Sequence, residues 1–574
     1  MKKILKYLND YKKESVLAPL FKMLEATFEL FVPLVIASMI DKGIGGDQAL
    51  IVRSFFLLVL LGLVGLISAC TAQYFAAKAA TGVATTLRHD LFNHLMRLSY
   101  KEIDNVGTST MITRMTSDVN TVQNGVNMFL RLFLRSPFIV AGAMVMAFTI
   151  DFKAALLFVA VIGVLSLVVY INMRLNIPML KKVQGALDGV LNLTRENLSG
   201  VRVIRAFVRE STEYERFQST NQRLASLQIV AGRISGLLNP LTYVIINLAI
   251  VILIKVGSQQ VNVGILTTGQ VVALYNYMSQ ILVELIKFAS LIVTINKAFA
   301  SANRINEVFE IPEGTDELSI NDATAKVDNI DSVEFDHVSL RYHEDSDESL
   351  TDISFTVNRG ETLGIIGGTG SGKTSVVNLI PRFYDATKGS IKINGIDVRS
   401  IDIPSYRESI GMVIQKAVLF SGTIRDNLKW GNEDATDEEM LEAIDLACAT
   451  DVVESKGGLD AIIEANGRNL SGGQRQRLTI ARALVRKPQI LILDDASSAL
   501  DFVTDLRLRT NIKGLDYNPT VFIVSQRTSA VSSADRILVL DDGCTVGYGT
   551  HEELLKSCQV YAEIYDTQFK KEVV

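Results

Sequence analysis

Eight consecutive residues in the second half of this chain, Gly367, Gly368, Thr369, Gly370, Ser371, Gly372, Lys373 and Thr374, spell GGTGSGKT. They close an apolar, strand-like run, TLGIIG, and precede an apolar, helix-like run, VVNLIPRFY. That strand–loop–helix setting is what a phosphate-binding loop requires. Glycines let successive backbone N–H groups curl round a phosphate, and the N-terminus of the following helix adds partial positive charge. In such a loop Lys373 reaches the β- and γ-phosphates, and the Thr374 hydroxyl is placed to ligate Mg2+.

The wider class that follows is the P-loop nucleotide hydrolases, with ATP and Mg2+ as the expected ligands. A second run, QILILDD at 489–495, is an apolar strand ending in two carboxylates. Asp494 is placed to hold Mg2+ through water, and Asp495 stands where an attacking water would be oriented. Capping of the following helix accounts for one of these aspartates but less well for the pair.

The segment LSGGQRQRLTIARAL, from Leu470 to Leu484, resembles the signature motif of ATP-binding cassette (ABC) proteins. The resemblance implies that Leu470, Ser471, Gly472, Gly473 and Gln474 meet nucleotide across a head-to-tail dimer of cassettes. It further implies that Tyr342 stacks on adenine and that Gln415 senses Mg2+ and couples to the membrane domain. By the same resemblance, the loop Ser498–Asp501 touches the opposite nucleotide site. Glu464 matches only loosely the loop that contacts the membrane domain. Two positions depart from the family pattern. Asp495 stands where hydrolysing sites carry Glu, one methylene shorter, and Gln526 stands where a histidine usually contacts the γ-phosphate. None of the five histidines, His89, His94, His337, His343 and His551, falls at that strand end. The two departures together imply a site that binds ATP but hydrolyses it poorly, beside an intact signature that serves the other site.

These residues need a scaffold, and the chain's unevenness supplies one. The 574 residues are 48% hydrophobic yet carry 57 basic and 62 acidic side chains, with nearly all the long apolar stretches in residues 1–305. A bilayer crossing takes about 20 mostly apolar residues. Candidates lie at 17–40, 53–78, 128–150, 152–174, 234–257 and 267–297. The first is interrupted by Lys22, Glu25 and Glu29, which either sit at headgroup level, face neighbouring helices, or line a polar translocation path. Glu284 and Lys287 in the last are three apart and share a face, to pair with each other or line the lumen.

The connections at 79–127 and 175–233 are long and the others short, and ten basic residues lie between Arg174 and Arg233. Basic residues stay cytoplasmic, so both long links and both termini are expected inside the cell membrane. Helical spacing in LRHDLFNHLMRLSY predicts that the membrane helices run on into the cytoplasm and turn near 101–115 and 209–218.

The expected fold is therefore multidomain. A six-transmembrane-helix, all-α domain (1–305) precedes a linker (306–330) and an α/β P-loop ATP-binding cassette domain (331–574). Domain order resembles the bacterial exporter-type half-transporters, which implies coupling helices near Gly107–Met115 and Arg209–Phe217. The expected partners are the lipid bilayer, a small amphipathic substrate, and a second half-transporter with a complete catalytic site. The alternative is a homodimeric lipid or peptide exporter with two slow sites. A net charge of −5 gives no reason to expect nucleic acid, and the four scattered cysteines show neither metal-ligand nor disulfide spacing.

Overall fold

The computed structural model describes residues 6–43, 46–313, 325–343 and 346–569. It divides into two units, one of residues 1–93 and 109–310, the other of 94–108 and 311–574. Residues 314–324 of the expected linker lie outside the described residues.

Among the described residues six helices are long and apolar enough to cross a membrane: Lys6–Gly43, Gln48–Met96, Thr108–Ile150, Phe152–Ser199, Glu210–Asn262 and Thr268–Phe309. The second and fourth contain 49 and 48 residues. At 1.5 Å per residue each is over 70 Å long, more than twice the roughly 30 Å hydrocarbon core, so each continues far beyond it. The third span is not one rod. It breaks at Phe133–Leu134, between the helices Val119–Leu132 and Arg135–Ile150.

Small residues set the packing. Ala143, Ala147, Ala154, Ala155, Ala249 and Ala273 are buried together around Phe158, Leu253 and Tyr277. Helices in lipid gain little from hydrophobic exclusion, so close backbone approach through small side chains carries more of the contact energy. At Gly125 a Cβ would stand 2.2 Å from the Ala298 Cβ, too close for any other residue without a shift.

The charges that interrupt the spans meet one another. Arg135, only 7% exposed, donates to Glu284 at 2.6 Å and to Glu29 at 2.8 Å. Lys287 pairs with the same Glu284 oxygen at 2.9 Å, and Ser136 gives its hydroxyl to the other at 2.8 Å. Lys22 pairs with Glu25 at 2.5 Å. Three acids and three bases thus form one neutral group on three spans, which is how charge is tolerated among apolar helices.

Both turns at the ends of the long helices begin earlier than the sequence reading placed them. The first tip is a short helix, Tyr100–Val106, capped by Ser99, whose Oγ accepts the Glu102 N–H, and ended by Gly107 at φ 78°. The second is Val201–Ala206, which follows Gly200. Gly107 caps the end of the first tip helix and Phe207 that of the second, while Arg209 stands at the start of the next helix, Glu210–Gly236.

The second unit is built on a ten-stranded sheet. Its strands are β1 (Ser332–Leu340), β2 (Leu350–Asn358), β3 (Thr362–Gly367), β4 (Lys388–Ile393), β5 (Ile396–Asp397) and β6 (Ile410–Val413). A separate hairpin-like pair, β7 (Gly422–Thr423) with β8 (Ile462–Ile463), stands outside it. The remainder are β9 (Ile490–Asp494), β10 (Thr520–Val524), β11 (Arg536–Asp541) and β12 (Cys544–Gly549). The order is β5-β4-β1-β2-β12-β11-β3-β10-β9-β6. From β11 to β6 all neighbours are parallel, while β4, β1 and β2 pair antiparallel. The parallel strands are short apolar runs buried on both faces, ILILD of β9 at every position, as expected when helices cover both sides.

Candidate nucleotide site

Open parallel sheets place ligands in the crevice beyond the carboxyl ends of their strands. Four neighbouring strands here deliver candidate residues to that edge. β3 ends in Gly367 and opens the glycine loop; β10 ends just before Ser525 and Gln526; β9 ends in Asp494; β6 ends two residues before Gln415. They line one cleft of about 430 Å3, with Thr369, Gly370, Gly372, Lys373, Thr374, Gln415, Asp494, Asp495 and Gln526 all in its wall.

The loop is held open by backbone that only glycine adopts freely. Gly370 and Gly372 have φ of 83° and 91°. A Cβ on Gly372 would lie 2.8 Å from the Ser349 carbonyl oxygen, and Gly543 approaches the same oxygen equally closely from the β11–β12 turn. Ser349 and Gly543 belong to the cleft wall too, with Asp347, Glu348 and Asp542. Sequence reading missed this side; the Asp-Asp-Gly turn after β11 is a turn signal, but nothing in it points to the glycine loop.

Lys373 begins the helix Lys373–Leu379 and is buried. Its ammonium donates to the carbonyls of Gly367 at 3.0 Å and Gly368 at 2.5 Å. Burial pulls its pKa down, against the pull of Asp495 and Asp494. Thr374 donates its hydroxyl to Asp494 Oδ1 at 3.2 Å. Burial pushes the Asp494 carboxyl up, the Thr374 hydrogen bond opposes that, and the neighbouring Asp495 adds to it. The paired oxygens of Thr374 and Asp494, with the exposed Gln415 amide near them in the wall, are hard oxygen donors of the kind Mg2+ takes alongside water and phosphate. Among the described residues no three His, Cys, Asp or Glu side chains form a metal cluster.

Asp495 takes a left-handed backbone, φ 49°, and its N–H is held by the Val524 carbonyl at 3.0 Å. Aspartate is among the few residues that enter this region at small cost.

Not every expected residue reaches the cleft. Tyr342 lies outside the wall: its hydroxyl donates to Ser375 at 2.9 Å, and its ring meets Tyr384 edge-on at 4.9 Å. Leu470, Ser471, Gly472, Gly473 and Gln474 do not line it either. Ser471 caps the helix Gly472–Val485, trading hydrogen bonds with Gln474 in a capping box. Ser471 and Gly472 are exposed, so that helix N-terminus presents free N–H groups outward. Gly473 packs against the Ala499 carbonyl, and Asp501 caps the next helix, Phe502–Lys513, through Val503 and Thr504. Hydrogen bonds from Thr504 lead the causes that hold the Asp501 carboxyl below its usual range. Glu464 is exposed, its N–H held by Asn469 at 3.1 Å.

Known proteins agree with this division. Residues 15–285 match the ABC transporter transmembrane region and residues 350–498 the ABC transporter family. An uncharacterised ABC transporter ATP-binding protein of Bacillus subtilis, YfiB, is 36% identical over 100% of this chain and 99% of its own. A second Bacillus subtilis protein, YgaD, provisionally named for multidrug export, is 31% identical over 99% of both chains. An ATP-dependent lipid A-core flippase of Desulfotalea psychrophila is 34% identical over 86% of this chain and 85% of its own. The fold is that of a bacterial Atm1-family ABC exporter solved with ATP bound, at a TM-score of 0.80, 24% identity and 99% coverage of each.

Proposed function

We propose, for a chain that belongs to the ABC transporter family and is an exporter half-transporter whose ATPase drives transport, that it is one half of an asymmetric pair. ABC exporters work as dimers in a membrane, and this chain is a multi-pass membrane protein. In the proposed pair, this chain's cleft binds ATP and hydrolyses it slowly, while its signature completes a faster site on a different half-transporter. The cargo is an amphipathic, drug-like compound moved outward across the cell membrane, with the cassette and N-terminus in the cytoplasm.

One observation carries the reading. Asp495 and Gln526 both line the cleft, while Leu470–Gln474 of the same chain line none of it. A complete site therefore needs a signature from elsewhere, and the two altered residues and the intact signature belong to different sites. Lys373 and the loop N–H groups would hold the β- and γ-phosphates, Thr374, Asp494 and Gln415 the Mg2+, Tyr342 the adenine, and Asp501 the opposite site. Bound Mg2+ neutralises charge that develops on the transferring phosphate. Asp495 would orient the attacking water from a carboxylate drawn back by one methylene, and a displacement of about 1 Å can cost roughly 100-fold in rate. Gln526 would offer the γ-phosphate an amide in place of an imidazole.

Cargo class rests on the relative named for multidrug export and on spans rich in Phe, Leu, Ile and Met. The relative named as a lipid A-core flippase favours a second reading, a homodimeric lipid exporter with two slow sites. Co-purification of the tagged chain from its native membrane separates them. A distinct half-transporter with Glu and His at the two positions supports the asymmetric pair, and recovery of this chain alone supports the homodimer. Trapping with a transition-state phosphate mimic should then label the partner's site preferentially, and equal labelling of both sites contradicts the pair.

A further inference from the structure

Gln526 leaves the carboxyl end of β10 on a segment that is tied down at both ends. Ser525 is fully buried; its N–H reaches the Ile365 carbonyl of β3 at 3.1 Å, and its Oγ accepts the Arg527 N–H at 3.0 Å. Thr528, also fully buried, turns both its N–H and its hydroxyl onto one atom, Oε1 of Gln568, at 2.9 and 2.8 Å. The other end of that amide, Nε2, donates to the carbonyl of Gln526 itself at 2.8 Å. One side chain from the helix Gln559–Phe569 therefore closes three hydrogen bonds around a three-residue turn.

The amide can sit only one way round. A backbone N–H needs an acceptor and a carbonyl needs a donor, so the two ends of Gln568 are not interchangeable. Its helix is anchored independently by Tyr561, fully buried against Ile366, Val531, Ile537 and Val539. The Gln526 side chain, by contrast, is exposed and makes no hydrogen bond among the described residues. Its place in the cleft wall is set by its backbone, and Gln568 is what holds that backbone from outside. A second tie joins the same turn to the helix that Asp501 caps: Arg509 donates to the Ser529 carbonyl at 2.6 Å.

We infer that Gln568 is a positioning residue for γ-phosphate recognition, clamping the turn that presents Gln526 to the nucleotide. This rests on the reading of Gln526 as the γ-phosphate contact. Free of the clamp, the turn gains conformations and Gln526 meets the phosphate only part of the time. ADP has no γ-phosphate, so its binding does not depend on the clamp.

The test is the preference for ATP over ADP at this chain's own site. The whole transporter, purified and kept on ice, is photolabelled with 8-azido-ATP, and label on this chain is competed with ATP or with ADP. Gln568→Ala should lower the preference roughly five- to tenfold, on the scale of lost hydrogen bonds of modest net strength, through weaker ATP competition with ADP unchanged. Gln526→Ala should do the same, and the double variant should be no worse than either, because both act through one contact. Gln568→Glu keeps the acceptor for Thr528 and loses the donor to Gln526, so it should fall between wild type and Gln568→Ala. It also serves if burying an unpaired Thr528 keeps the alanine variant from folding. An unchanged preference in the Gln568 variants beside a lowered one in Gln526→Ala overturns the clamp alone, as does an equal loss of ATP and ADP binding. An unchanged preference in Gln526→Ala overturns the reading of Gln526, and the clamp with it.

Discussion

Tyr384 donates its phenolic hydrogen to Asp104 at 2.6 Å, joining residues 280 apart in the chain. Asp104 belongs to the first tip helix, Tyr100–Val106, and Tyr384 follows the helix that begins at Lys373. Tyr100 of the tip packs its ring 4.4 Å from that of Phe383, and Tyr384 in turn meets Tyr342. A short path thus runs from Asp104 of the tip through the rings of Tyr384 and Tyr342 to Ser375, inside the cleft wall. Burial, then Asp104 itself, push the Tyr384 phenol up, so it stays a donor at any physiological pH.

This contact should carry coupling more than catalysis. Tyr384→Phe keeps the rings and removes one hydrogen bond, a loss of about 1 kcal/mol where water can compete. Basal ATPase activity in proteoliposomes should stay within twofold, while transported substrate per ATP falls several-fold. Unchanged transport stoichiometry would rule out a coupling role for the pair.

The site stores a stability penalty in Asp494. Its pKa is raised from 3.8, by burial above all. A carboxyl with a folded pKa above its unfolded value holds its proton longer when folded, so stability falls as pH rises between the two values. The penalty is larger at neutral pH than in acid. Asp494→Asn should therefore raise the Tm of the nucleotide-free protein at neutral pH, and abolish Mg2+-dependent hydrolysis. The gain should shrink as pH falls from the raised folded value towards the unfolded one, because the folded carboxyl takes up its proton first. A lower Tm for the variant at pH 7 would contradict this account.

What the sequence made legible is what local pattern encodes. The glycine loop, its flanking strand and helix, and the paired aspartates at a strand end each depend on residues within one or two turns. The spans followed from length and hydropathy alone. The tips slipped by several residues because Gly107 signals a boundary without saying which side the short helix lies on. The fate of Glu29, Glu284 and Lys287 turned on Arg135, more than 100 residues from either acid, a pairing that only tertiary structure reveals. The Tyr342 hydroxyl and the Gln568 amide were hidden for the same reason.

That arginine offers a direct test of the intramembrane network. Arg135→Met leaves Glu284 buried with only Lys287 and Ser136 to face, and breaking a buried pair typically costs about 3–5 kcal/mol. Thermal unfolding in detergent should show a drop of several degrees. Adding Glu284→Gln should recover most of it, because the acid no longer needs a counter-charge. Lys287→Ala, removing a half-exposed partner, should matter little. If the double variant is less stable than Arg135→Met alone, the network is not what holds these helices together.

The last prediction decides which site does the work. Ser471 caps a helix whose first N–H groups face outward, away from this chain's own cleft. In a head-to-tail dimer they would meet the γ-phosphate held by the other cassette, where hydroxyl and N–H donors stabilise developing charge. Ser471→Ala removes the cap, which by itself weakens the helix start by roughly 1 kcal/mol, and removes a donor to the partner's site. Asp495→Ala removes a carboxylate from a site that is slow on the asymmetric reading. In an asymmetric pair, steady-state ATPase activity at saturating ATP and Mg2+ should therefore fall more for Ser471→Ala than for Asp495→Ala. In a homodimer the losses should be nearly equal, since every site would contain both defects. The converse change sharpens the comparison: Asp495→Glu with Gln526→His should raise turnover, modestly, because the left-handed backbone at 495 suits Asp better than Glu. If Asp495→Ala abolishes turnover and Ser471→Ala leaves it intact, this chain supplies the working carboxylate and the asymmetric reading is wrong.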